Sequence, residues 1–297
     1  MPSPGQILKK NSLKFIALLS IVRWYNILLL IIAQYLAAVF LMTDYHDFRQ
    51  TLLNPTLHKI VLSTLFIVAS GFIINNFYDH EKDSINRPQQ TAFERLVRKR
   101  TKLNFYFFFN TIGTLLAATI SWRATLFFVV YAFALWFYSH KLKRLPFVGN
   151  FTASGLAVAP FFGIFFYFTI QDLIVFPLVG IFWSLNFFRE MIKDMIAVKG
   201  DTLSGYQTLP VISGIEKTKR IASTAIIPSV LFTLWIWPDA GSYLRIFLVV
   251  QFAVLALSAA LLQGAKNQKT LILIHNLCKV MVVLGVFSIP FFSLYPF

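Results

Sequence analysis

The stretch VLSTLFIVASGFIINNFYDHEKDSINRP, residues 61–88, joins two kinds of sequence that rarely meet. Up to Tyr78 it is almost wholly apolar, the continuation of a run that begins near residue 58. A run of that length spans a hydrocarbon core of about 30 Å as a helix. Lipid offers no partner for a bare backbone amide, so the run has no other way to cross. At Asp79 the character changes, and Asp79, Glu81, Lys82, Asp83 and Arg87 follow within a few residues.

Outward from this stretch the apolar blocks recur. The 297 residues are 57% hydrophobic and only 13% charged, more apolar surface than a water-soluble domain can bury. Runs of roughly 17–25 apolar residues predict nine spans, near 15–41, 58–78, 103–120, 122–139, 149–170, 172–191, 220–237, 243–264 and 270–294. The expectation is an all-α integral membrane protein of about nine transmembrane helices, a single domain over 1–297. The first run follows Lys9, Lys10 and Lys14, but it is interrupted at Arg23 and has no small-residue cleavage site, so it reads as a retained helix. One cysteine, Cys278, excludes an internal disulfide and a thiolate metal cage. The five histidines include no close helical pair of the kind that binds zinc.

A net charge of +15 suggests nucleic acid until its distribution is considered. If the helices alternate in direction, most of the 27 lysines and arginines fall on one side, including the whole group from Lys82 to Lys102. Arg49, Lys59, Arg123 and Arg245 fall on the other, and Arg23 and Lys279 lie inside helices. This is the positive-inside pattern. It predicts a cytoplasmic N-terminus and no nucleic-acid partner.

The acidic residues are not explained by topology. Only 12 occur, and a second group, Arg189-Glu-Met-Ile-Lys-Asp-Met-Ile-Ala-Val-Lys-Gly-Asp201, ends the sixth run on the same side as the first. Asn75, Asp79 and Asp83 recur every four residues and share one helical face; Asp194 and Asp201 are separated by nearly two turns. Carboxylates crowded at a membrane boundary repel one another and lose hydration. A divalent cation compensates for both. Oxygen donors without thiol or imidazole favour a hard ion such as Mg²⁺, held by a few carboxylates together with substrate phosphates.

Asn75-x-x-x-Asp79-x-x-x-Asp83, followed by Asn86-Arg87-Pro88, resembles the first aspartate-rich motif of the UbiA superfamily of intramembrane prenyltransferases. Arg189-Glu190-x-x-Lys193-Asp194, with Gly200-Asp201 and Thr208-Leu209-Pro210, resembles the second. Tyr138-Ser139-x-Lys141 with Gly149-Asn150 is similar to the loop after the family's fourth helix, and Arg23-x-x-Asn26 to its first-helix motif. The resemblance implies nine helices around a central cavity open to lipid, with cytoplasmic cap segments near 79–102 and 192–219. It implies transfer of a prenyl group from a prenyl diphosphate to a lipophilic acceptor. Asn75, Asp79 and Asp83 would hold one side of a Mg–diphosphate unit, and Asp194 and Asp201 the other. The four aspartates would thereby be catalytic. Asn26, Arg87, Tyr138, Lys141 and Lys193 would contact substrate. Three departures stand out: Asn76 and Ala197 where acidic residues are common, Lys199 where Glu is common, and a basic amphipathic segment, residues 89–100, in place of Arg-Pro-x-x-Ser-Gly.

Asp83-Ser-Ile-Asn-Arg-Pro88 with Arg189-Glu-x-x-Lys-Asp194 most resembles the branch that alkylates geranylgeranylglyceryl phosphate with geranylgeranyl diphosphate. A quinone, tocopherol or chlorophyll-type acceptor is the alternative. A cation-coupled transporter is a reading of another class, although transporters place such carboxylates near the bilayer midplane rather than at helix ends.

Overall fold

The computed structural model describes residues 4–41, 48–165, 167 and 175–292, with side chains from residue 11 onward. The described elements are helical: α1 (Pro4–Val22), α2 (Trp24–Phe40), α3 (Phe48–Leu52), α4 (Pro55–Tyr78), α5 (His80–Asn86), α6 (Pro88–Glu94), α7 (Lys99–Ala118), α8 (Trp122–His140), α9 (Val148–Phe165), α10 (Val175–Leu203), α11 (Leu209–Ser213), α12 (Ile215–Ser223), α13 (Ile226–Ile236), α14 (Ser242–Gly264) and α15 (Gln268–Phe292). Sequence punctuation sets several starts. Asn54 Oδ1 accepts from the Thr56 amide and Pro55 opens α4, while Ser121 Oγ accepts from the Ala124 amide at the start of α8.

Among the described residues seven helices are long and apolar enough to cross a membrane, and an eighth if α1 and α2 form one bent span. The expected span at 103–120 is α7, which packs along α4 more extensively than any other pair of helices. Its first turn carries Lys99, Arg100 and Lys102, leaving its apolar part short. The expected continuous span at 15–41 is bent by 52°. Arg23, at φ 51° and ψ 52°, lies in the left-handed region and interrupts the ladder, a conformation costing about 1–2 kcal/mol for a residue with a β-carbon. The break brings the Arg23 guanidinium over the Phe72 ring, 5.4 Å from its centroid, beside α4.

Two apolar clusters divide the bundle. One gathers Ala17, Ile60, Ile67, Phe128 and Ile164 from α1, α4, α8 and α9; the other gathers Ile181, Phe188, Leu248 and Ile274 from α10, α14 and α15. Outward from both, large side chains such as Phe107, Leu115, Phe133, Leu234, Ile246 and Phe287 are exposed, which suits a surface solvated by lipid. The first acidic motif ends a helix of one cluster and the second sits on a helix of the other. With 29 residues, α10 extends about 43 Å at 1.5 Å per residue. That outruns a hydrocarbon core of about 30 Å, so the last turns of the helix, which carry Asp201, stand beyond it.

Candidate active site

The four-residue spacing survives a break in the helix. Asp79 caps α4 at φ −84°, ψ 1°, yet the Asp79, Asp83 and Arg87 amides still donate to the carbonyls of Asn75, Asp79 and Asp83, at 2.9, 2.8 and 2.7 Å. The motif therefore keeps one face while α5 tilts towards α10. Asn86 fixes the contact: its Nδ2 donates to the Ala197 carbonyl at 3.2 Å, and its Oδ1 accepts from the Gly200 amide at 3.1 Å. Glycine at 200 makes this approach possible, because a β-carbon there would fall 2.3 Å from Asn86 Nδ2. Gly200→Ala is thus expected to loosen α5 from α10 and to lower turnover in a protein that still inserts. In a double-mutant cycle, adding Asn86→Ala should cost little more, since both changes break one contact.

With α5 held there, the two motifs share their counter-charges. Lys82 Nζ lies 2.5 Å from Asp201 Oδ1, and Asp201, fully buried, also accepts from Thr208 Oγ1 at 3.1 Å through Oδ2. Lys143 Nζ lies 2.6 Å from Asp79 Oδ1 and 3.4 Å from Asn75 Oδ1. Tyr206 Oη donates to Asp79 Oδ1 at 3.1 Å, and its ring lies under Lys82 and Arg144, at 5.0 and 5.1 Å from the charges. Asn150 Nδ2 donates to Asp194 Oδ2 at 2.7 Å. Lys82 feels Asp79, Asp201 and Asp194 together, so residues from α4, α5, the α8–α9 turn, α9 and α10 meet around one polar centre.

The charges there are mutually dependent. Burial works against ionisation of Asp79, but Lys143 and then Lys82 outweigh it and hold its carboxyl below the usual range. Burial, and next the Asp79 charge, push Asp83 above that range. Burial opposes the charge on Lys82, yet Asp79 and Asp201 hold its ammonium above the ordinary lysine value. Burial and Asp79 raise the Tyr206 phenol, which stays a donor.

The donor set is made of hard oxygens, so it fits Mg²⁺ in kind. Among the described residues no three carboxylates, imidazoles or thiols stand close enough to form a cage by themselves. Such a geometry suits an ion bound jointly by one or two carboxylates from each side and by substrate phosphate oxygens, as Mg²⁺ commonly is.

The other residues expected from sequence are placed as follows. Arg87 lines a small polar cavity with Arg23, Asn75, Asp83 and Glu94. Tyr138 is within electrostatic reach of Glu190, Asp194 and Asp79. Lys193 pairs with the buried Glu190 on its own helix, and Arg189 Nη2 lies 3.0 Å from the same carboxylate. Asn26 is half-buried in the first turn of α2. Lys141 is exposed, whereas Lys143, two residues on, is buried against Asp79. The turn Leu142–Arg144 is a single 3-10 turn that carries Lys143 inward, and a run of three basic residues does not reveal which one that is.

Tyr206 gives no signal of its own in the sequence. It is delivered by Gly205, at φ 69° just past the end of α10, and its amide bonds back to the Asp201 carbonyl at 2.9 Å. Asn76 proves to be a connector. Its Oδ1 accepts from Lys102 at 2.7 Å and its Nδ2 donates to Glu94 at 2.5 Å. Glu94, only 4% exposed, also accepts from Gln90 and Ser20. An aspartate could not donate to Glu94, so Asn76→Asp is expected to lower thermal stability by about 1–3 kcal/mol, the cost of an unsatisfied buried polar group. A melting curve in detergent measures it.

The profile of the UbiA prenyltransferase family matches residues 31–277. The chain belongs to the UbiA prenyltransferase family. It is an integral membrane prenyltransferase. A digeranylgeranylglyceryl phosphate synthase of Thermococcus gammatolerans is 30% identical over 243 residues, 77% of this chain and 84% of that protein. The enzyme of that name from Saccharolobus solfataricus is 29% identical over 253 residues, covering 80% and 87%. Among solved structures, one of digeranylgeranylglyceryl phosphate synthase superposes with a TM-score of 0.71 at 21% identity, covering 94% of this chain and 98% of that one. A UbiA homologue from Archaeoglobus fulgidus, bound to GPP and Mg²⁺, gives 0.64 at 14% identity, covering 92% and 99%. These two share the fold of the present prenyltransferase, with its acidic motifs on α4–α5 and α10.

Proposed function

We propose that this prenyltransferase carries a geranylgeranyl group from geranylgeranyl diphosphate to the free hydroxyl of geranylgeranylglyceryl phosphate, forming an ether, with Mg²⁺ as cofactor. The observation that carries the reading is the meeting of the two aspartate motifs around Lys82 and Lys143. Lys82, within the first motif, pairs with Asp201 of the second and feels Asp79 and Asp194, while Lys143 pairs with Asp79 beside Asn75. Asn75, Asp79 and Asp83 would hold a Mg–diphosphate from one side and Asp194 and Asp201 from the other, beside Lys82 and Lys143.

The chemistry is a displacement at an allylic carbon. Breaking its C–O bond sends negative charge onto the departing diphosphate and leaves a delocalised cation. Mg²⁺, when bound, supplies charge neutralisation of the leaving group. Lys82 and Lys143, preset beside the carboxylates, add to that stabilisation without having to be reorganised. Tyr206 and Asn150 hold Asp79 and Asp194 in place. The apolar helices around the site exclude water, so the cation survives until the acceptor oxygen forms the new C–O bond and its hydroxyl proton passes to the departed diphosphate.

For the acceptor, Lys279 supplies a specific argument. It sits within the apolar helix α15 and feels Arg189, Arg87 and Arg23 as neighbours, with Glu190 as the nearby acid. A cation inside a membrane span is costly unless it is used. Cations within electrostatic reach of one another support an acceptor that bears negative charge over a neutral quinone ring. The names of the relatives agree with that preference. The proposed mouth of the site is cytoplasmic, with segments near 79–102 and 192–219 as its cap, a side that the positive-inside bias supports.

Purified protein incubated with Mg²⁺ and geranylgeranyl diphosphate, with either geranylgeranylglyceryl phosphate or a quinone precursor, tests the reading by mass spectrometry. A digeranylgeranyl ether product from the first alone supports it. Prenylated quinone alone transfers the proposal to the other acceptor class, and transport without product removes it.

A further inference from the structure

A second concentration of cations lies beside the junction of α4 and α5, outside the ion pairs of the aspartates. Phe77 and His80, at the junction of α4 and α5, with Arg95, Arg98, Lys99 and Lys102 around the start of α7, line a cavity of about 190 Å³. The positive-inside bias requires basic residues on this face, but it does not require them to converge on one hollow. Among the described residues Arg95, Arg98 and Lys99 form no ion pair with a carboxylate. Acids within electrostatic reach of the group include Glu94, which Lys102 feels, and Glu81, which His80 feels. A second feature points the same way. The 20-residue helix α7 begins here, with the cavity-lining Arg98 at its N-cap and no side-chain cap, so the positive end of its dipole lies at the cavity. Further along α7, Phe107 and Phe108 are exposed, 63% and 56%, as an apolar surface below the cations.

We propose that this cavity binds the phosphate of a lipid headgroup, its chains lying against the exposed face of α7. The site is distinct from the diphosphate site but mechanically joined to it, because Lys102, which lines the cavity, holds Asn76 beside Asn75. Its existence does not depend on which acceptor the enzyme uses.

The test is equilibrium binding of a fluorescent phosphatidic acid, doped into neutral phosphatidylcholine micelles, to the full chain. Arg95, Arg98 and Lys99 are exposed, so R95Q/R98Q and K99Q should fold. The control is K266Q/K269Q, which removes the same charge as the double variant from exposed residues assigned to the same side. R95Q/R98Q is expected to weaken binding about tenfold or more, K99Q less, and the control less than about twofold. Equal weakening in double variant and control, or none in either, overturns the proposal by reducing the cavity to general surface charge. Competition then distinguishes the source. Displacement by geranylgeranylglyceryl phosphate, with its KM raised and the donor KM unchanged in R95Q/R98Q, assigns the site to the acceptor. Weakened phosphatidic acid binding with unaltered turnover assigns it to bulk membrane lipid, and displacement by inorganic phosphate alone removes the lipid from the proposal.

Discussion

Asp79→Asn and Asp194→Asn are each expected to cut prenyl transfer by at least about a hundredfold, the scale of losing one preorganised electrostatic group from a transition state. The loss should fall on kcat rather than on acceptor KM, because these carboxylates answer charge that develops as the diphosphate departs. Asn is close in shape to Asp and keeps the acceptor oxygen that Lys143, Tyr206 or Asn150 requires, so both variants should still insert, with Asp79→Asn melting lower because it strands the buried Lys143 charge. Product quantification by mass spectrometry, beside a melting curve for each variant, separates lost chemistry from lost fold. Wild-type turnover in either correctly inserted variant would remove the aspartates from the mechanism.

The second large effect distinguishes two neighbouring lysines. Lys143→Gln should destabilise the protein and inactivate it, whereas Lys141→Gln should change stability by less than about 0.5 kcal/mol, as exposed substitutions usually do. Removing one partner of a buried ion pair costs about 3–5 kcal/mol, because the remaining charge is stranded. Here the stranded group is Asp79, 8% exposed and held ionised against its own burial by Lys143 and Lys82. The pH dependence follows from the sign of that shift. A carboxyl held below its usual range contributes stability above its unfolded pKa and loses it as pH falls through the folded one. The penalty of Lys143→Gln should therefore be largest near neutrality and shrink in acid, where a protonated Asp79 needs no cation. Melting temperatures of both variants and the parent across pH measure this directly. Equal behaviour of the two lysine variants would remove Lys143 from the site.

The contrast shows what kind of information each residue carries. The spacing of Asn75, Asp79 and Asp83 is legible because a helix repeats it locally, and it persists through the break at Asp79 since the i to i−4 bonds continue. Asp201 and Asp194 are legible for the same reason on α10. Lys143, by contrast, is indistinguishable from Lys141 and Arg144 until a 3-10 turn, set against α9, decides which one faces Asp79. Asn76 reads as a missing ligand in the sequence. Its place between Lys102 and Glu94 emerges only when α6 and α7 fold back upon α4.

By itself the sequence determined that the chain lives in the bilayer as helices, and that two acidic motifs end spans on one side. Both follow from local rules: apolar length against the thickness of a membrane, and helical period against residue spacing. Tertiary structure alone decided which cations enter among the carboxylates, that Asn86 and Gly200 draw the motifs together, and that Arg23 bends the first span. Those depend on contacts between residues as far apart in the chain as Lys82 and Asp201, whose energies come from burial and close approach and are written in no single stretch of sequence.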